Sequence, residues 1–162
     1  MPIADPATAT ALKLWLTLAR AYQAASELSR MDIARHELSA AEFSVLEALY
    51  HKGPLLLGDV QRKALLSSGG ITFLVDRLAE RGLVERQQCP NDRRARYAAL
   101  TREGTALMKR IFPGHADAMR EAMAGLTPSE QRTATALLKR LGLAAADRAA
   151  ANPECRAGIS GG

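Results

Sequence analysis

Along most of this chain apolar residues return at a spacing of three and four, the period that lays them on one face of a helix. From Thr8 to about Arg35 the stripe is Leu12, Trp15, Leu18, Ala19, Tyr22, Ala25 and Leu28 or Ser29, with Leu14 and Leu16 beside it. A helix apolar over so much of its circumference needs partners on more than one side. Ser39-Ala40-Ala41-Glu42 is a capping box that opens a helix to about His51. Thr127-Pro128-Ser129-Glu130 is a second box, with proline at the first helical position. Between them, Thr101 to about Ala124 reads as a long helix interrupted and kinked at Pro113-Gly114.

The middle of the chain is organised differently. Gly58 to Leu66 is a short helical pattern with Val60, Ala64 and Leu65 inward and Arg62 and Lys63 outward. A second helix is predicted from Gly69 to Arg81, burying Ile71, Leu74, Val75 and Leu78 and presenting Thr72, Phe73, Asp76, Arg77 and Glu80. It is preceded by Ser67, Ser68, Gly69 and Gly70, small or hydroxylated residues that let a phosphate or base edge approach the unpaired N–H groups of a helix start. Gly82 suits the C′ position, where positive φ is needed. Two strand-length runs follow, Leu83 to Gln88 and Ala95 to Leu100, around Cys89-Pro90-Asn91-Asp92-Arg93-Arg94, in which the proline and the Asn-Asp pair are turn formers.

Two short helices with a polar turn and a basic hairpin form a device for reading duplex DNA. The second helix is shaped for the major groove. Arg93 and Arg94 at the hairpin tip suit the focused negative potential of a narrow minor groove. Asp92 is placed to brace Arg94, and Asp76 to position Arg77 or accept from a cytosine amine. Arg62, Lys63, Ser67, Ser68, Gly69, Thr72, Phe73, Arg77, Asp92, Arg93 and Arg94 are therefore the candidate DNA-contacting residues.

The string GGITFLVDRLAERGLVERQQCPNDRRARYAALTREG resembles the winged helix of MarR-type transcriptional regulators, in which the Asp-Arg-Arg of the wing is the best-known signature. The resemblance spans about residues 8 to 147. The segments YHKGPLLLGDVQRKALLSSGGITFLVDRL, CPNDRRARYAALTREG and ALMKRIFPGH are most similar to the methylhydroquinone-responsive (MhqR-like) subgroup. It implies a mainly α fold with a small β-wing: a winged helix-turn-helix (36–104) between an N-terminal dimerisation helix (1–35) and C-terminal dimerisation helices (105–147). It also implies a two-fold homodimer on a pseudo-palindromic operator with half-sites about one helical turn apart. Relatives place phenolic ligands in a cleft between the dimerisation helices and the winged helix, which makes Trp15, Tyr22, His36, Phe43 and Tyr50 the candidate ligand residues.

Composition changes this picture little. At 162 residues and 48% hydrophobic the chain suits one domain with helical extensions. The net charge of +5 is concentrated where DNA would be met, with nine Lys/Arg against six acids from Gly58 to Glu103. No run approaches the roughly 18 apolar residues of a membrane span, and Met-Pro-Ile-Ala-Asp lacks the basic start of a signal peptide, so a cytoplasmic protein is expected. Residues 148–162, rich in Gly and small side chains from Asn152 onward, are expected to be a disordered tail.

Cys89 and Cys155 are too few and too far apart for a metal site or disulfide framework. Cys89 is either an inert thiol or a redox- or quinone-reactive one beside the wing. The reactive cysteine that peroxide-sensing MarR relatives carry near the start of the first helix is missing. His36, His51 and His115 are scattered and read as structural or surface residues, with no metal expected. No glycine-rich phosphate loop, H-E-x-x-H or nucleophile with its base is present, so neither an enzyme nor a cofactor is expected. The reading is a dimeric repressor released by a phenol, hydroquinone or quinone that binds preferentially to a dimer with misplaced reading heads. The rivals are a non-specific architectural DNA-binder, a protein-interaction module and a thiol-based regulator through Cys89.

Overall fold

The computed structural model describes residues 5–64, 70–89 and 92–151. Helix α1 spans Pro6–Ala34, opened by Asp5, whose carboxylate accepts from the N–H groups of Ala7 and Thr8, with Pro6 at the first position. Its end turns through Glu37, at φ 56, which brings Leu38 back into the core. Helix α2 (Ala40–Lys52) begins at the expected box: the Ser39 N–H donates to the Glu42 carboxylate at 2.8 Å, and the Glu42 N–H to the Ser39 hydroxyl at 3.1 Å. It supplies Phe43, Val45, Leu46 and Leu49 to the core.

The strand pair Leu55–Leu56 (β1) leads into a short helix, α3 (Leu57–Lys63), and α4 covers Ile71–Glu80. Val60 and Ala64 are buried as expected, and so are Ile71, Val75 and Leu78, whereas Leu74 is half-buried at the edge of its face. The predicted Leu65, Leu66, Ser67, Ser68 and Gly69 lie outside the described residues. Helix α4 closes as a Schellman motif: the Leu83 N–H donates to the Leu78 carbonyl and the Gly82 N–H to that of Ala79, both at 2.9 Å. Gly82 takes φ 70, conformational space that a Cβ disfavours.

That motif aims the chain into the hairpin β2 (Val84–Cys89) and β3 (Asp92–Leu100). The sheet is antiparallel in the order β1-β3-β2, with Leu55 opposite Ala98 and Val84 opposite Leu100. The strands reach further than the alternation predicts. Cys89 faces Asp92, and between Gln88 and Cys89 the register shifts from Arg96 to Asp92 on the facing strand. Asp92, Arg93 and Arg94 therefore belong to β3 and not to a turn. A ladder bond near the tip satisfies backbone groups that a wide six-residue turn would leave to water.

Helix α5 (Arg102–Ala122) is seated on the hairpin base. Thr101 caps it, accepting from the Gly104 N–H at 3.0 Å while its own hydroxyl donates to the Gly82 carbonyl at 2.6 Å. The Thr101 N–H donates to the Leu83 carbonyl at 3.1 Å, and Gly104 lies directly against that same carbonyl. The expected break at Pro113-Gly114 does not occur, and α5 runs through it. Proline removes one N–H donor from a helix interior, but buried Met108 and Ile111 before it and His115 after it hold both flanks on the core.

Among the described residues, those from Met123 to Ala151 belong to a separate compact unit. Its helix α6 (Pro128–Ala151) starts at the second capping box, where the Thr127 N–H donates to Glu130 at 2.8 Å. The Gln131 amide closes the preceding turn by donating to the carbonyls of Met123 and Leu126, each at 3.0 Å. Helix α6 continues into the stretch expected to be tail.

A methyl group at position 104 would overlap the Leu83 carbonyl oxygen, a backbone atom that cannot turn aside. Gly104→Ala is expected to cost about 3 kcal/mol, the upper range of overpacking, read as a lowered denaturant midpoint. An unchanged midpoint would mean that α5 is free to slide on the hairpin.

Candidate nucleic-acid interface

The outward face of α4 carries Thr72, Phe73, Asp76, Arg77 and Glu80, all exposed, above the buried row of Ile71, Val75 and Leu78. This is the division that the sequence predicts. Three ion pairs hold the helix against its neighbours, and none is local. From α2, the Glu42 carboxylate lies 3.4 Å from the guanidinium nitrogens of both Arg77 and Arg81. From β2, Arg86 donates to Asp76 at 2.6 Å. Asp76 therefore braces the hairpin and not Arg77. Arg86 comes within its reach because the Schellman turn folds β2 back along α4.

Glu42 is buried, and burial alone would raise its pKa. The Ser39 N–H and hydroxyl, with the charges of Arg77 and Arg81, outweigh that cost and hold the carboxyl below its ordinary range. One carboxylate thus completes a helix cap and neutralises two arginines whose outer parts remain in solvent. Arg77 is also positioned over the Phe73 ring, its guanidinium carbon 5.9 Å from the centroid.

Around α4, Arg62 and Lys63 project from α3 into solvent, Arg62 paired with Asp59 one turn earlier. Gly70 precedes α4 without a side-chain cap, leaving the first N–H groups free of a side-chain partner within the described residues. The side chains of Cys89, Asp92, Arg93 and Arg94 lie outside the described residues, and with them the expected Asp92–Arg94 brace.

A second feature lies behind the interface. The C-terminal half of α1, the start of α2 and α5 enclose a cleft of about 320 Å³ lined by Tyr22, Ser26, Phe43, Glu47, His115 and Met119, among others. Of the five candidate ligand residues only Tyr22 and Phe43 line it. Trp15 is 65% exposed nearer the start of α1. His36 lies in the turn after α1, its N–H bonded to the Ile33 carbonyl at 3.0 Å. Tyr50 faces another cleft, beside Gly53 and Thr105, with its ring centroid 5.8 Å from that of Phe112. These three fall on different turns and faces, so helical spacing does not gather them.

Among the residues that the cleft brings in unexpectedly is His115. His115 is buried, with Nδ1 3.0 Å from the Asp32 carboxylate and its ring centroid 4.4 Å from that of Phe43. Asp32 and His115 are 83 positions apart, about half the chain, and no motif joins them. Among the described residues no group of three His, Cys, Asp or Glu side chains gathers as a metal ion would require.

Comparison with known proteins agrees with this geometry. The model of the MarR family matches residues 38–95, the winged-helix segment through most of the hairpin. The chain is 41% identical over 136 residues to the HTH-type transcriptional regulator MhqR of Bacillus subtilis, covering 84% of this chain and 94% of that one. A MarR family regulator from Streptomyces coelicolor, solved in complex with DNA, superposes with a TM-score of 0.74 at 25% identity, covering 81% of this chain and 88% of the other. Bordetella bronchiseptica BpsR, whose DNA binding is regulated by 6-hydroxynicotinic acid, gives 0.72 at 29% identity over 80% of this chain and 98% of its own.

Removing the Glu42 charge tests the brace. Glu42→Gln is expected to cost about 2 kcal/mol, the scale of a hydrogen bond to a charged group. Because its pKa is depressed in the folded state, the stabilisation from Glu42 is complete above the ordinary glutamate range and is lost as pH falls through the folded value. The difference between wild type and E42Q, measured by urea titration, should therefore shrink on acidification. A gap that stays constant down to pH 3 would show that the carboxylate charge is not what matters.

Proposed function

The chain belongs to the MarR family of winged helix-turn-helix transcriptional regulators, and from that premise we propose that it is a homodimeric repressor of a pseudo-palindromic operator, released by a small hydroxylated aromatic molecule. The observation that carries the DNA half is α4. Its polar face is exposed, its apolar face is buried, and its side chains are tied to both neighbours, Arg77 and Arg81 to Glu42 of α2 and Asp76 to Arg86 of the hairpin. Thr72, Phe73 and Arg77 would meet base edges; Arg62, Lys63 and the wing residues Asp92, Arg93 and Arg94 would meet the backbone and minor groove. Ser67, Ser68 and Gly69 belong to the same interface by position.

The dimer is supported by apolar surface that the protomer leaves uncovered. Leu12, Trp15 and Leu16 on α1 are at least 45% exposed, and on α6 so are Leu137, Leu138 and Leu143. Soluble monomers seldom carry so many such residues on contiguous helical turns, and a second copy would cover them. Two reading heads related by a two-fold axis then require a symmetric site.

The ligand half rests on the cleft. At about 320 Å³ it has the size of a small-molecule site, with the aromatic walls of Tyr22 and Phe43 and polar groups from Ser26, Glu47 and His115. BpsR responds to a hydroxylated aromatic acid, which favours that class here. Release follows if the ligand prefers a conformation in which the α4 pair is misplaced, since a ligand shifts an equilibrium only by its differential affinity.

The purified protein is expected to sediment as a dimer and, by fluorescence anisotropy near physiological salt, to prefer the DNA upstream of its own coding region over a scrambled duplex by roughly a thousand-fold. Equal binding to both duplexes would favour an architectural DNA-binder. Arg77→Ala should lower the preference by about ten-fold or more. In a panel of phenols, hydroquinones, quinones and hydroxylated aromatic acids, at least one should weaken operator binding by about ten-fold or more, within the usual range of coupling between sites. A panel without effect would remove the ligand half and leave the DNA half standing.

A further inference from the structure

Phe73 is the anomaly of the α4 surface. The helix has a buried face into which an aromatic ring could go, yet Phe73 lies on the opposite side and is 63% exposed among Thr72, Asp76, Arg77 and Glu80. An apolar ring in the middle of a polar reading surface is unfavourable in free protein and becomes favourable only against an apolar partner. Duplex DNA presents one such group on its major-groove base edges, the C5-methyl of thymine. Phosphates, the amines of adenine and cytosine, and the acceptors of guanine all lose hydration against a phenyl ring without gaining a bond.

The neighbour of Phe73 narrows the assignment. Arg77 follows by one helical turn, so both side chains leave the same face, and the guanidinium carbon is 5.9 Å from the ring centroid. Glu42 holds the same guanidinium from behind at 3.4 Å while half of the Arg77 side chain remains exposed. The arginine is thus partly ordered before DNA arrives, with its free N–H groups beside the ring. A guanidinium so placed matches the O6 and N7 acceptors of guanine, the commonest specific arginine contact in the major groove. A phosphate would instead compete with Glu42 for the charge.

We propose that Phe73 and Arg77 form a composite reader of a thymine and an adjacent guanine, Phe73 seating the thymine methyl and Arg77 taking the guanine edge. This rests on the reading of the chain as a sequence-specific DNA-binder and assigns the base pairs that such a protein selects. Phe73 lies in the first turn of α4, the end that a recognition helix directs at base edges.

The test changes the DNA by single atoms or groups. In the native upstream fragment, each thymine is replaced in turn by deoxyuridine, which lacks only the methyl, and binding is measured by anisotropy for wild type and Phe73→Ala. At one thymine position of each half-site, wild type should lose about four-fold in affinity, the worth of one buried methyl group, and about fifteen-fold when both half-sites are changed. F73A should be indifferent to the same replacement. At a guanine flanking that thymine, 7-deazaguanine should weaken wild type but not Arg77→Ala. Phe73 is exposed, so F73A should keep its thermal midpoint, and lower salt brings its binding into range if it is weak.

A wild type that prefers its operator yet is insensitive to deoxyuridine at every thymine overturns the assignment while leaving the DNA-reading function intact. A methyl effect that persists undiminished in F73A overturns it as well and points to another side chain. A wild type insensitive to 7-deazaguanine at every flanking guanine, or an Arg77→Ala variant as sensitive as wild type, overturns the arginine half. A wild type with no preference for the native fragment removes the function on which the inference depends.

Discussion

A single buried carboxylate ties helix α4 to the start of α2 and to the core beneath it. Glu42 closes the Ser39 cap of α2 and, with the same group, draws Arg77 and Arg81 of α4 toward that helix. A carboxylate taken out of water without such partners would neutralise itself or move the helix back to solvent. Here the local requirement of one helix start and the electrostatic requirement of a distant basic helix are met by the same oxygens. The orientation of α4 therefore depends on where α2 begins, and α2 begins where the chain leaves α1 through Glu37.

The hairpin is fixed by a different set of contacts. The Schellman turn at Gly82 sets the exit from α4, the Asp76–Arg86 pair holds β2 beside it, and Gly104 lets α5 rest on the Leu83 carbonyl. Each contact is small, but all three act on the few residues between the recognition helix and the first turn of α5. Substitutions in that corner bear on the direction of the wing as well as on stability. On the far side of α2, Phe43 lines the cleft next in sequence to Glu42, so the cleft wall and the brace share one helical turn.

Much of this was legible in the sequence. The capping boxes gave the starts of α2 and α6, Gly82 gave the end of α4, and the spacing of Ile71, Val75 and Leu78 separated its buried face from its reading face. The signature around Asp92-Arg93-Arg94 pointed to the family that the comparisons bear out. What could not be read are meetings between elements. Periodicity states which side of a helix is covered but not which side chain covers it, so the sequence leaves Asp76 between Arg77 and a cytosine amine, whereas its partner in the fold is Arg86. The Asp32–His115 contact joins the two ends of the core, and only the packing of α1 on α5 creates it. Trp15, His36 and Tyr50 lie away from the cleft that Tyr22 and Phe43 line, and spacing along the chain does not show that either. At Pro113 the local rule predicted a break, and the buried residues on both flanks overrode it.

The Asp76–Arg86 tie has a consequence for the duplex rather than for the protein. On the proposed reading it joins the helix assigned to one groove to the strand that leads toward the next, and so limits the adjustment of the span between them. The accommodation then falls on the DNA, whose local twist, stiffness and groove width vary with sequence. Base pairs that no side chain touches acquire a vote in site selection, because those already curved and narrowed to this span cost less to deform than those that must be forced into it.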